Sequence, residues 1–283
     1  MKTKLYVSSL FVFALTACGG SLSEVETFTY ETDAAIVGGK DTTKENIISK
    51  YVVLIYDNPT KTYCTGLLIQ KNIILTAAHC IKSDHTGLSL AFGLKPLSGD
   101  YTLRQAAKVL THPLYKKNNT QDRNDLALIL IKGEAPTGTQ LLQIPNDEFP
   151  LKKGLLFTAS GYGRTSGKKD NTGKDTQGSG SLRHVELMIE SVADDESQFY
   201  VDQKTGKGIC SGDSGGPALM RYNGKDYVVG IASAISWTVP SELDGNERKE
   251  YIENKDVCSE KSIYMNVKKF RSWILEGSQT LLK

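Results

Sequence analysis

From residue 36 to the C-terminus, short apolar and β-branched runs alternate with clusters of Gly, Asn, Asp and Pro. Residues 52–56, 65–69, 73–77, 126–131, 155–159 and 227–233 each have the length and composition of a strand. Runs this short at this spacing predict an all-β barrel or sandwich, and nothing alternates strand with helix as a parallel sheet requires. A helical period enters only near the end, where Val267, Phe270, Trp273 and Ile274 fall on one face. Two polar stretches interrupt the pattern. Residues 165–181 are almost wholly Gly, Ser, Thr, Lys, Asp and Asn, which predicts a surface loop, and residues 238–257 read as an insertion between Trp237 and Cys258.

The first 35 residues follow a different pattern. Lys2 and Lys4 precede an apolar run over residues 5–15 that only Ser8 and Ser9 interrupt. The run is too short for a stable membrane-spanning helix and has the layout of a secretory signal. It ends in Leu15-Thr16-Ala17-Cys18, which resembles the lipobox of bacterial lipoproteins, where the cysteine receives the lipid and becomes the new N-terminus. The other reading is an ordinary signal peptide with a cysteine at its cut site. The expected organisation is a signal over 1–17 and a lipidated tether or propeptide over 18–35. The resemblance implies an exported bacterial lipoprotein of the periplasm or outer membrane. Gly19, where inner-membrane lipoproteins of enteric bacteria carry Asp, favours the outer membrane.

Composition removes one class of partner. The chain has 283 residues, 39% of them hydrophobic, and 34 basic against 32 acidic residues leave a net charge of +2. That is too near neutrality for electrostatic capture of nucleic acid. The pairs Lys116-Lys117, Lys152-Lys153 and Lys168-Lys169 read as solvated loop residues. With Cys18 set aside, Cys64, Cys80, Cys210 and Cys258 remain. Four cysteines in an exported chain point to two disulfides, with three connectivities open.

The chemistry concentrates in Gly212-Asp213-Ser214-Gly215-Gly216-Pro217. Flanking glycines let the backbone turn tightly, expose the serine hydroxyl and aim consecutive N–H groups at one spot, as an oxyanion hole requires. A serine hydroxyl needs a histidine to take its proton and a carboxylate to orient that histidine. His79 lies in Thr76-Ala77-Ala78-His79-Cys80, directly after an apolar run. Asp125 lies in Asn124-Asp125-Leu126-Ala127-Leu128-Ile129, at the mouth of another.

These three segments, in the order His, Asp, Ser, resemble the trypsin- and chymotrypsin-like serine peptidases. Ile36-Val37-Gly38-Gly39 matches the N-terminus that family zymogens acquire on activation, and His112-Pro113-Leu114-Tyr115 and Gly161-Tyr162-Gly163 are lesser matches. The resemblance covers residues 36–283. It implies two antiparallel six-stranded β-barrels with the active site between them and a C-terminal helix. The first barrel is expected over 36–140 with His79 and Asp125, and the second over 141–283 with Ser214. His79 would be general base and then general acid, Asp125 would hold its tautomer, and Ser214 would form the acyl-enzyme. The N–H groups of Gly212 and Ser214 would bind the oxyanion.

The family pattern also implies the bridges Cys64–Cys80 and Cys210–Cys258, the first closing a short loop worth about 3 kcal/mol. It implies a cut between Ala35 and Ile36, after which the new amino group would pair with Asp213. The catalytic domain would then leave a lipid-anchored propeptide. Ala35 is not the Arg or Lys of many family activation sites, so the activating protease is expected to be non-tryptic, the enzyme itself included.

Gly208, six residues before Ser214, falls where trypsin-like members carry Asp, which argues against cleavage after Lys or Arg. Ser262 stands two residues before Tyr264, where a glycine is usual. If Gly230-Ile231-Ala232-Ser233 aligns with the family's Gly-Ile-Val-Ser, Ile235 narrows the pocket and small aliphatic residues are favoured. If Ser236-Trp237 takes that place, the pocket stays open for larger apolar residues. Polypeptide substrates are expected, with no cofactor and no metal. The stretch where some members bind calcium, residues 81–94, contains only Asp84 as an acid. Two other functions compete: a non-catalytic binding protein on the same fold, and a zymogen silent until a partner induces the site.

Overall fold

Each of the six apolar runs overlaps a strand. The computed structural model describes residues 25–26, 36–115, 123–168 and 178–283. Cys18, Ala35 and most of the 165–181 loop lie outside them.

Two short strands, β1 (Val25–Glu26) and β2 (Lys40–Asp41), precede the first barrel. Its strands are β3 (Val52–Asp57), β4 (Thr62–Gln70), β5 (Ile73–Thr76), β6 (Leu88–Lys95), β7 (Asp100–Thr111) and β8 (Ala127–Ile131). They close in the order β3-β4-β5-β8-β7-β6, every pair antiparallel. Closure leaves no open edge, and Val52, Leu54, Leu67, Ile73, Leu90 and Leu128 fill the interior. In β5 the run Ile-Ile-Leu-Thr is buried at every position. A continuous apolar strand of this kind has both faces covered.

The second barrel uses β9 (Leu156–Gly161), β10 (Arg183–Met188), β11 (Ser191–Val192), β12 (Gln198–Asp202), β13 (Pro217–Tyr222), β14 (Lys225–Ser236) and β15 (Lys261–Asn266). The order is β11-β12-β15-β14-β13-β9-β10, with β2 beside β10. β10 and β11 are one bent stretch of chain. Its first part pairs with β9 and its second with β12, with Glu190 N–H donating to Tyr200 O at 2.8 Å. Counted so, six strands close this barrel too. Phe157, Phe199 and Tyr264 form its centre, the last two rings stacked at 5.0 Å.

A domain boundary at residue 140 is crossed by both chain ends. Ile36 is buried in the second core, and β2 pairs with β10 through Asp41–Arg183 and Lys40–His184, so residues 36–41 belong to the second barrel. At the other end, α2 (Arg271–Leu281) packs back on the first barrel. Gly277 lies so close to Leu128 and Leu110 that a Cβ there would stand 2.8 and 3.0 Å from their methyl groups. The expected helical face is corrected in part. Val267 and Phe270 are buried but precede the helix, which begins at Arg271.

The 238–257 insertion contains a helix the apolar pattern did not announce, α1 (Gly245–Asn254). It buries no residue, so no apolar stripe marks it; strong helix formers and the i,i+4 pair Lys249–Glu253 favour it locally. Among the described residues no helix is long and apolar enough to cross a membrane.

Candidate active site

His79 follows β5 in a single turn, Ala78–Cys80. Its backbone N–H donates to Asp125 Oδ1 at 2.8 Å, and its Nδ1 lies 2.7 Å from Asp125 Oδ2. Asp125, just before β8, is fully buried. A buried carboxylate needs donors on both oxygens, and here main chain and imidazole supply them together. With Nδ1–H donating, the neutral ring leaves Nε2 as an acceptor.

A third donor comes from the second barrel. Ser233 Oγ donates to Asp125 Oδ2 at 2.6 Å. The β14–β15 register shifts between Ala232 and Ala234, so Ser233 is left out of the ladder. This bulge turns its hydroxyl out of the sheet and toward the other barrel.

Ser214 stands in the loop before β13, whose backbone is tied to the first barrel. Thr65 N–H donates to Ser214 O at 2.8 Å, and Thr65 Oγ1 donates to Gly212 O at 2.9 Å. Gly215, at φ +80°, is wedged against Thr76 Oγ1 and Thr65 O with no room for a side chain. Neither Gly212 N–H nor Ser214 N–H donates to a backbone acceptor among the described residues. The disulfide Cys64–Cys80 has an S–S length of 2.01 Å, and Cys80 Sγ stands 3.8 Å from His79 Nε2 and 3.6 Å from Ser214 O. One sulfur therefore touches both the imidazole and the Ser214 loop. A serine, an acceptor nitrogen and unspent N–H groups so arranged suit acyl transfer.

Comparison with known proteins decides the family. Residues 36–274 match the family model described as Trypsin.

The chain belongs to the trypsin family.

Granzyme F of Mus musculus is 31% identical over 192 residues, covering 63% of this chain and 73% of that protein. Chymotrypsin-like elastase family member 1 of Rattus norvegicus is 28% identical over 230 residues, covering 73% and 81%. Trypsin of Phaedon cochleariae is 27% identical over 295 residues, covering 95% and 98%. This trypsin-family chain is a serine endopeptidase.

Beside Ser214 a cavity of about 230 Å³ is lined by Ile209, Cys210, Ser233, Ile235, Trp237 and Val257 among others. Of the four pocket residues read from the sequence, Ser233 and Ile235 reach it and Gly208 and Ser262 do not. For Gly208 the reason is Gln203, whose buried carboxamide fills the space a Gly208 side chain would take. Ser262 is paired with Ile235 across β14 and β15 and fully buried, so the bulkier Ile235 fronts the cavity. The Ser262 hydroxyl has no hydrogen-bond partner among the described residues. Cys210–Cys258 joins the segment before Ser214 to the chain after α1, with Cα atoms 5.1 Å apart.

Asp213 is fully buried. Gly163 N–H donates to its Oδ1 at 2.7 Å and Cys210 N–H to its Oδ2 at 2.8 Å. A Cβ on Gly163 would strike this carboxylate, which explains the Gly161-Tyr162-Gly163 match. Burial pushes the Asp213 carboxyl up to about 7, against the opposing pull of the two N–H groups and Arg183. Gln203, Thr65 and Val257 were not singled out from the sequence as site residues, whereas Trp237 entered the pocket only in the alternative register. Thr65 sits beside Cys64 in a recognisable segment, but no local pattern distinguishes Gln203.

Proposed function

We propose that His79, Asp125 and Ser214 are the catalytic triad of this endopeptidase. The observation that carries the reading is the buried Asp125, which binds His79 at Nδ1 and at the backbone and receives Ser233. Ser214 Oγ attacks the scissile carbonyl carbon while His79 Nε2 takes its proton. The oxyanion is met by the N–H groups of Gly212 and Ser214. His79 then protonates the leaving amine, and water repeats the sequence to free the acid. A serine-directed acylating inhibitor tests this. The adduct is expected on Ser214, and an adduct elsewhere that abolishes activity would overturn the assignment.

For specificity, the Ser233–Asp125 hydrogen bond supports the register that places Ala234 and Ile235 next along the cavity. Ile235 narrows the site, so small aliphatic residues before the cleaved bond are favoured and Lys or Arg excluded. The likeness to a protein named an elastase agrees. Trp237 also lines the cavity, which supports the alternative of larger apolar residues. Peptides with Ala, Val, Leu, Phe and Arg before the cleaved bond separate the readings, and fast cleavage after Arg would defeat both.

The chain is proposed to be made as a zymogen cut between Ala35 and Ile36. Ile36 is buried in the second barrel and has φ 54°, an unfavourable conformation for a β-branched residue. Asp213, held near neutrality by burial, suits capture of a new ammonium group. Export is supported by the two disulfides and the N-terminal sequence. Lipidation of Cys18 and a bacterial source rest on residues 15–18 alone, and the relatives named above are animal proteins. After the cut, the antiparallel pairing of β1 with Arg221 and Tyr222 would be the described contact holding the tether. Backbone hydrogen bonds contribute only about 1 kcal/mol each, so release is expected. N-terminal sequencing of the active form tests cut and release together; a form still carrying residues 18–35 would contradict both.

A further inference from the structure

We propose that Gln203 is a specificity-determining residue, a neutral plug that ends the substrate pocket at Ile209 and ties its two walls together. The inference deepens the specificity reading above and rests on it.

Gln203 immediately follows β12 and is fully buried. Its Oε1 accepts from Ile209 N–H at 2.7 Å, and its Nε2 donates to Ile209 O at 3.1 Å and to Cys258 O at 2.8 Å. Only one orientation of the amide fits, because reversing it would set an oxygen against two carbonyls. The side chain thus pairs with Ile209 as a neighbouring strand would and reaches across to the chain beyond α1. That crossing runs parallel to the Cys210–Cys258 bridge. Its main-chain N–H is spent on Glu260 O at 2.8 Å, which anchors the residue from a third side.

The second half of the case is volume. A Cβ built on Gly208 would overlap the Gln203 carboxamide, at 2.6 Å from Nε2. A side chain at 208 and a glutamine at 203 therefore exclude one another. Gly208 alone would suggest a deep, empty pocket, yet neither Gly208 nor Gln203 borders the cavity beside Ser214, whereas Ile209 does. The missing side chain has been replaced from behind by a group whose two N–H bonds are both committed. Such a floor offers no charge to a Lys or Arg side chain. It also removes the depth that Leu, Met or Phe would need. Ile235 narrows the pocket from the side, and Gln203 shortens it.

The test is the ratio of kcat/KM for peptides with Leu and Ala before the cleaved bond, on one preparation of active enzyme. Because it is a ratio, it is independent of the fraction folded. Gln203→Ala is expected to raise the Leu-to-Ala ratio by about tenfold or more, the usual weight of a few methylenes in an apolar pocket. Gln203→Leu, which refills the volume without the hydrogen bonds, should return the ratio toward wild type while raising KM. Acylation by a small serine-directed inhibitor that needs no pocket reports the catalytic groups separately. A Gln203→Ala ratio within twofold of wild type, with normal acylation, would overturn the proposal. Should Gln203→Ala not fold, Gln203→Asn is one methylene shorter, and an unchanged ratio in that variant would overturn it equally. The wild-type panel distinguishes the two levels. Preference for Phe in the wild type would sink both the small-residue reading and the plug, whereas preference for small residues with a ratio that ignores residue 203 would sink the plug alone.

Discussion

The two barrels hold their shares of the active site in different ways. The core of the first is mostly aliphatic, and its contribution is pinned by strong local bonds. His79 lies between a disulfide and two bonds to one buried carboxylate. The first barrel meets its buried carboxylate, Asp125, with three donors, whereas the second buries several polar groups that are less fully met. Burial pushes the Asp213 carboxyl up to about 7, His184 is held near 4 by burial and Lys40, and the hydroxyls of Ser160, Ser262 and Tyr264 lack hydrogen-bond partners among the described residues. A half that supplies a base benefits from being rigid in advance. If the chain is made as a zymogen, as proposed, a half that forms its loop and pocket only after the cut benefits from a stored electrostatic imbalance.

The largest effect tests whether both halves act as one unit. Ser214→Ala and His79→Ala should each lower kcat by about 10⁶-fold, and the double variant by no more than either alone. Additive losses, measured on one peptide substrate, would separate the barrels functionally. Next, Asp125→Asn keeps the shape but favours the wrong imidazole tautomer, and a loss of about 10⁴-fold in kcat is expected.

The bridges should differ in kind. Replacing Cys64 and Cys80 by Ser is expected to cost about 3 kcal/mol in denaturant unfolding and to lower kcat through His79. Replacing Cys210 and Cys258 opens a longer loop, spanning 48 residues, and should act mainly on KM and the side-chain preference. Reversal of that split would undo the division of labour drawn above.

The pH dependence belongs to the second barrel. The Asp213 carboxyl is raised from 3.8 to about 7, so its contribution to stability in the uncut chain is full below pH 4 and lost as pH rises through 7. The amplitude is on the order of a few kcal/mol. Asp213→Asn should flatten this part of the profile, and an unchanged slope between pH 4 and 8 would show that the carboxyl does not titrate there. The smallest effect joins the barrels. Ser233→Ala removes one hydrogen bond from a buried carboxylate and should lower kcat by roughly 10- to 100-fold, the equivalent of about 1.5–3 kcal/mol for a charged partner. No change would mean that His79 and its own main chain suffice to hold Asp125.

The strands legible in advance were those whose apolar residues run together, such as β5 and β8. β7, with Arg104, Gln105 and Lys108 among its residues, carries no such run because most of it is exposed or half-buried, and β10 carries none because it buries Arg183 and His184 beside its apolar residues. The helix α1 was hidden because it buries nothing. Ser214, His79 and Asp125 could be proposed from the sequence because each sits in a short segment whose neighbours serve the same turn, and the structure brings His79 and Asp125 within hydrogen-bond distance.

The sequence by itself determined the chemistry, the order of the segments that carry it and the all-β character of the chain, since these depend on residues a few positions apart. Only the tertiary structure decided that Ser233 rather than Ser236 meets Asp125, 108 positions away, because a bulge in β14 turns it out. It also placed Ile209, and not Gly208, on the cavity beside Ser214. Gly208 is a vacancy in the sequence, but in three dimensions Gln203 fills it, since close packing leaves no such space empty.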